Sequence, residues 1–165
     1  MKQHRILISV GSNIERTYHT RQSRIALAHY FDNLVCSRVY ESQAVGFDGK
    51  PFYNLVVQAD TSKSIEEVCA ILKQIEVDNG RVHSQKKFCS RTLDLDLLTY
   101  DDVVTTQPVV LPREEILYNA FVLQPLAELV PAGLHPVTNE SYAALWQNFD
   151  KSSQALHPIA FEWSS

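Results

Sequence analysis

Residues 80–98 read GRVHSQKKFCSRTLDLDLL, and they crowd five cationic or titratable nitrogen side chains in front of two aspartates. In an extended strand, side chains alternate between faces, so Asp94 and Asp96 share one face and Leu93, Leu95 and Leu97 the other. Two carboxylates about 7 Å apart at Cα converge on one hard cation or a pair of them. The basic residues ahead of them suit a polyanion, and cation plus polyanion is the composition of a phosphoryl-transfer site. Each half has an ordinary reading too: a strand with polar residues turned to water, and a solvated basic loop. The combination is more informative, because Arg91 stands three residues before Asp94 and Arg81 begins the same connection.

The flanking sequence predicts the elements that position these residues. RILISVGSN reads as a buried first strand ending in a turn at Gly11-Ser12-Asn13. The spacing of Ile25, Leu27, Ala28 and Phe31 predicts a helix over about 17–33. LVCSRVYES alternates as a second strand, QAVGFDGKP is a turn-rich loop, and FYNLVVQADTS is a third strand. Ser64 with Glu67 three residues later forms a capping box for a helix whose apolar face is Val68, Ile71, Leu72 and Ile75. Gly80 closes that helix, and the Asp94/Asp96 strand follows the basic loop. EEILYNAFVLQPLAELVP predicts short helical pieces, and NESYAALWQNF a last helix. The order strand, helix, strand, strand, helix, strand predicts an α+β sandwich of the ferredoxin-like kind, a mainly antiparallel sheet with helices on one face.

Composition bounds the rest. A chain of 165 residues suits one domain, placed over residues 1–150, with 151–165 a tail that either frays or docks through Ile159, Phe161 and Trp163. The formal net charge of −4 gives the bulk surface no electrostatic reason to hold nucleic acid. No apolar run approaches a membrane span, and the polar start does not fit a signal peptide. Cys36, Cys69 and Cys89 lack a CxxC pairing and read as free thiols of a reducing cytoplasm. The histidines show no paired metal-ligand spacing.

In order along the chain, GSN, YES…VG…FYN, IE…GR, RTLDLDLL, LP and FVLQPLAELVP resemble the 6-hydroxymethyl-7,8-dihydropterin pyrophosphokinases of folate synthesis, from about Ile6 to Phe149. The resemblance implies transfer of the β,γ-diphosphate of ATP to the hydroxymethyl group of a reduced pterin, with AMP released. It implies that Asp94 and Asp96 hold two Mg²⁺ ions, and that Arg81 and Arg91 steady the moving diphosphate, a task suited to a guanidinium that cannot lose its charge. It assigns the pterin to Ser42, Val45, Phe52, Asn54, Phe88 and Phe121, and ATP to Gln74, Glu76, His83, Lys87, Arg91 and Arg113. The implied enzyme is a cytoplasmic monomer acting on small molecules, with no nucleic-acid or membrane partner.

The departures from the family pattern gather on the nucleotide side. His83 and Lys87 stand where loop arginines are usual, Pro112-Arg113 replaces a Pro-His, Asn119 replaces an arginine, and Pro108 another basic residue. FCSR lacks the proline that usually follows the loop aromatic. These changes predict a divergent nucleotide site with a thinner cationic shell. The rival reading is a paralogue that binds pterin or nucleotide with little turnover. An RNA-binding ferredoxin-like domain fits poorly, because charge is negative and no aromatic run marks a central strand.

Overall fold

The computed structural model of the chain describes residues 2–42, 51–80, 92–151 and 156–164. Strict alternation builds its centre. Ile6, Ile8 and Val10 of β1 (His4–Ser12) join Leu55, Val57 and Ala59 of β4 (Phe52–Thr61) and Leu95 and Leu97 of β5 (Asp94–Tyr100) in one buried cluster. Leu7, Val56 and Leu98 face the other way into a second cluster. β1 lies between β4 and β5 and is antiparallel to both. With β2 (Asp32–Cys36), β3 (Tyr40–Ser42) and β6 (Leu156–Pro158) added, the sheet order is β5-β1-β4-β3-β6, and β2 and β3 share the remaining edge of β4. The second strand expected over 34–42 is therefore two pieces: between them the Ser37 N–H still donates to the Val56 carbonyl at 2.9 Å, but the Val56 N–H donates to the Ser37 hydroxyl at 3.0 Å in place of a backbone carbonyl.

The first cluster is covered by α1 (Arg16–Tyr30) and α2 (Ile65–Asp78). The capping box of α2 forms as its sequence predicts: Ser64 Oγ accepts the Glu67 N–H at 3.2 Å and Glu67 Oε1 accepts the Ser64 N–H at 3.0 Å. Val68, Leu72 and Ile75 are buried, and Gly80 adopts φ +86, a left-handed conformation that suits glycine. The face of α1 differs from expectation. His19, Thr20, Ser23 and Leu27 point inward, whereas Ile25 is 62% exposed. Two of its polar side chains find partners: Ser23 Oγ donates to the Thr20 carbonyl at 2.6 Å, and His19 Nδ1 lies 2.8 Å from Asn79 Oδ1, whereas the buried Thr20 hydroxyl has none.

The later helices cover the opposite face of the sheet, so helices flank both faces and not the single face expected, because Leu7, Val56 and Leu98 make the second face apolar too. α3 (Ala120–Leu129) and α4 (Tyr142–Gln147) supply Val122, Leu123, Leu126 and Tyr142 to the second cluster, preceded by a 3-10 turn at Glu114–Leu117. Tyr40 of β3 donates its hydroxyl to Glu128 of α3, and Arg38 Nε donates to the same carboxylate at 3.0 Å. Burial and then the bond to Glu128 push the Tyr40 phenol up to about 12. The tail docks: β6 (Leu156–Pro158) pairs with β3, and Ile159, Phe161 and Trp163 pack on the first cluster. Among the described residues no helix is long and apolar enough to cross a membrane.

Candidate active site

Asp94, Gly11, Asn54 and Tyr40 stand in one row across four strands, each the register partner of the next. Cross-strand partners point to the same face, so Asp94 and Asn54 look out from the sheet face that carries α3. They are two strand spacings apart, roughly 10 Å at the backbone. Gly11 lies between them and leaves the floor bare. A Cβ there would stand 3.3 Å from Asn54 Oδ1 and 3.7 Å from Phe52 Cδ1. A side chain here would crowd the Asn54 amide, so the close approach favours glycine, and the turn that GSN suggests begins only after Ser12. The sequence signal was the glycine itself, which inside a strand marks a bulge or a close approach.

On one side of Gly11 is a buried polar pair. Asn54 Nδ2 donates to Ser42 Oγ at 2.5 Å, and both residues are buried. The bond fixes the amide's orientation and leaves its carbonyl facing the Gly11 gap. Arg16 braces the surroundings: Nη2 pairs with Glu41 at 2.9 Å, Nη1 donates to the Pro51 carbonyl at 2.9 Å, and the guanidinium lies 3.9 Å over the Tyr53 ring. It ties β3 to the start of β4, and so holds Ser42 and Phe52 together. Phe121, near the start of α3, is half-buried against the second cluster.

On the other side stand the carboxylates. Leu93, Leu95 and Leu97 are buried and Asp94 and Asp96 half-exposed, as alternation predicts. β5 is an edge strand, so the Leu95 N–H points away from β1; Glu76 of α2, only 5% exposed, accepts it at 2.8 Å. Glu76 thereby grips the backbone between the two aspartates. Gln74 is turned outward on the same helix, its amide donating to Asp78 at 2.8 Å. Arg113 reaches in from the segment before the 3-10 turn: Nε donates to the Leu97 carbonyl at 3.1 Å, and Nη2 lies 3.7 Å from Asp96 Oδ1. Asn119 is bonded to Glu115 Oε2 at 3.2 Å. Val45, Arg81, His83, Lys87, Phe88 and Arg91 lie outside the described residues. The aspartates fit a hard cation: their donors are carboxylate oxygens, and a guanidinium cation already faces one of them.

A family model described as 7,8-dihydro-6-hydroxymethylpterin-pyrophosphokinase matches residues 7–131. Among curated proteins, the 2-amino-4-hydroxy-6-hydroxymethyldihydropteridine pyrophosphokinase of Bacillus subtilis is 34% identical over 128 residues, covering 74% of this chain and 75% of that one. Its namesake in Aquifex aeolicus is 30% identical, with 80% and 84% covered. A folate synthesis bifunctional protein of Arabidopsis thaliana is 28% identical over 92% of this chain, which spans only 32% of that relative's length. In the solved HPPK-DHPS protein of Plasmodium falciparum, the similarity has a TM-score of 0.72 at 12% identity, covers 88% of this chain and 43% of that one, and speaks to the fold alone. The chain belongs to the hydroxymethyldihydropterin pyrophosphokinase family, whose reaction in folate synthesis moves diphosphate from ATP to 6-hydroxymethyl-7,8-dihydropterin. The α+β fold with its mainly antiparallel sheet accords with that membership.

Proposed function

We propose that this chain carries out that transfer in the row running from Asp94 over Gly11 to Asn54, with the pterin on the Asn54 side and the ATP phosphates over Asp94 and Asp96. The observation that carries the reading is the bare glycine between a carboxylate pair and a fixed, buried amide. Two flat or extended substrates can meet over such a floor, and the pterin hydroxymethyl group then lies near the phosphates. Proximity and alignment supply much of the rate in phosphoryl transfer.

In this reading Asp94 and Asp96 hold two Mg²⁺ ions, which when bound neutralise phosphate charge and align the β-phosphorus. Asn54, oriented by Ser42, reads the hydrogen-bonding edge of the pterin, while Phe52 and Phe121 give it apolar faces, with Val45 and Phe88 assigned to the same pocket. Arg81 and Arg91 steady the transferred diphosphate; Gln74, His83, Lys87 and Arg113 complete the nucleotide shell. Glu76 serves that shell through β5, by holding the strand that presents the carboxylates. The proposal extends to a monomer in a reducing cytoplasm, in keeping with Cys36 and Cys69, both free thiols.

The test is AMP formation from ATP and hydroxymethyl-dihydropterin with Mg²⁺, run on wild type, Asp94→Asn and Asp96→Asn. Each variant removes a ligand charge that a hard cation needs, so turnover is expected to collapse while the folded far-UV spectrum and pterin affinity persist. Near wild-type turnover of either variant at saturating Mg²⁺ refutes the metal assignment. Tight binding of both substrates by the wild type without AMP formation favours the paralogue reading instead.

A further inference from the structure

The Arg113 side chain is held at one end and free to choose at the other. Its backbone N–H donates to the Leu98 carbonyl at 2.9 Å and its Nε to the Leu97 carbonyl at 3.1 Å, so the guanidinium is anchored against β5. The contact of Nη2 with Asp96 Oδ1, at 3.7 Å, is too long for a hydrogen bond and is an ion pair held by charge alone. Both side chains are about a quarter exposed, 25% and 28%, so the pair stands at the rim of the site where an incoming ligand can reach it.

From this geometry we propose that Arg113 is an exchangeable counter-cation of the metal site, one that makes metal loading depend on nucleotide. Without nucleotide, the guanidinium neutralises Asp96 and competes with any metal ion for its charge. A metal ion held by the Asp96 carboxylate would be a like charge close to the guanidinium. Triphosphate reverses the balance. Its oxygens accept the guanidinium's N–H groups in the paired geometry for which that fork is suited, releasing Asp96 to the metal. Arg113 therefore opposes metal alone and favours metal with nucleotide. By linkage the two ligands are more strongly coupled in its presence than without it. Asp96 keeps its other partners throughout, since only the sign of Arg113's charge matters.

The proposal rests on reading Asp94 and Asp96 as the metal pair, and the experiment separates the two. Mn²⁺ binding is titrated by the electron paramagnetic resonance of the free ion, with and without ATP, in wild type, Arg113→Ala, Arg113→Lys and Asp96→Asn. Arg113→Ala is expected to tighten Mn²⁺ binding without nucleotide by about two- to fivefold, the size of a partly exposed ion pair. The same variant is expected to weaken ATP binding in the presence of Mn²⁺ by roughly tenfold, the loss of a charge-assisted hydrogen bond. Arg113→Lys, which keeps the charge, is expected to restore weak binding of Mn²⁺ alone. Pterin affinity, unchanged in all three, reports that the fold is kept. Opposite signs for the two effects of Arg113→Ala support the exchange. Mn²⁺ binding without nucleotide that is unchanged, weakened or undetectable in Arg113→Ala overturns it. If Asp96→Asn leaves Mn²⁺ binding with ATP intact, the metal reading fails as well.

Discussion

At the scale of single residues, the carboxylate pair was legible because alternation alone puts Asp94 and Asp96 on one face. Gly11 was not, because a glycine followed by Ser-Asn reads as a turn, and only the register with Asn54 and Asp94 shows what its missing side chain leaves open. Gly11→Ala separates folding from binding. Alanine is the better residue for ordering a chain, and crowding against Asn54 offsets that gain, so the thermal midpoint is expected to change little. The new methyl presses on Asn54 Oδ1 at 3.3 Å, and Asn54 gives way poorly because Ser42 holds it at 2.5 Å. Pterin affinity is expected to drop several-fold with nucleotide affinity unchanged, as calorimetric titration of each ligand reads directly. Equal affinities for pterin in the two proteins refute the role given to Gly11.

Among the elements, α2 was readable from end to end, since its cap, apolar stripe and terminal glycine all lie within its own sequence. β2 and β3 were not separable, because what divides them is a hydroxyl from Ser37 meeting β4, a long-range contact with no local signature. The face of α1 was hidden for a related reason: its inward residues are polar, and their partners, such as Asn79, are far along the chain. The α2–β5 contact yields a prediction. Glu76→Ala strips the acceptor from the buried Leu95 N–H, at a cost of about 1–3 kcal/mol. Glu76→Gln retains an acceptor oxygen and is expected to recover most of the stability in urea denaturation. The alanine variant is also expected to need more Mg²⁺ for half-maximal turnover, since the strand between the aspartates is then unheld. An alanine variant as stable as wild type removes Glu76 from this role.

For the molecule as a whole, α3 is tied to the sheet beside the site. Burial raises the Glu128 carboxyl, but the hydrogen bonds from the Tyr40 hydroxyl, the Arg38 N–H and the Arg38 guanidinium outweigh it, and the net pKa is lowered. A depressed folded pKa gives stability that is fully present above the ordinary glutamate pKa of about 4.3 and is lost as pH falls through the folded value. Glu128→Gln is accordingly expected to be less stable than wild type at pH 7, with the gap closing below about pH 4. Thermal melts across pH 3–8 check this, and a gap constant with pH would assign the effect to packing. That bracing was invisible beforehand, because Tyr40 and Glu128 are 88 positions apart.

The docked tail has a consequence for how copies of the chain behave toward one another. β3 is three residues long, and β6 occupies the side of it that β4 does not. A bared strand edge offers unpaired N–H and C=O groups to any neighbour, and proteins avoid self-association by covering such edges. Here the cover is the chain's own late segment, secured by Phe161 and Trp163 and by Arg24, 4.9 Å over the Trp163 ring. A chain cut before Leu156 is expected to lose thermal stability and to form concentration-dependent oligomers in sedimentation velocity. Proline at Glu41, on the exposed edge, is expected to suppress those oligomers, because it removes a donor that strand addition needs. If the shortened chain sediments as a monomer at every concentration, the tail contributes packing and no shielding.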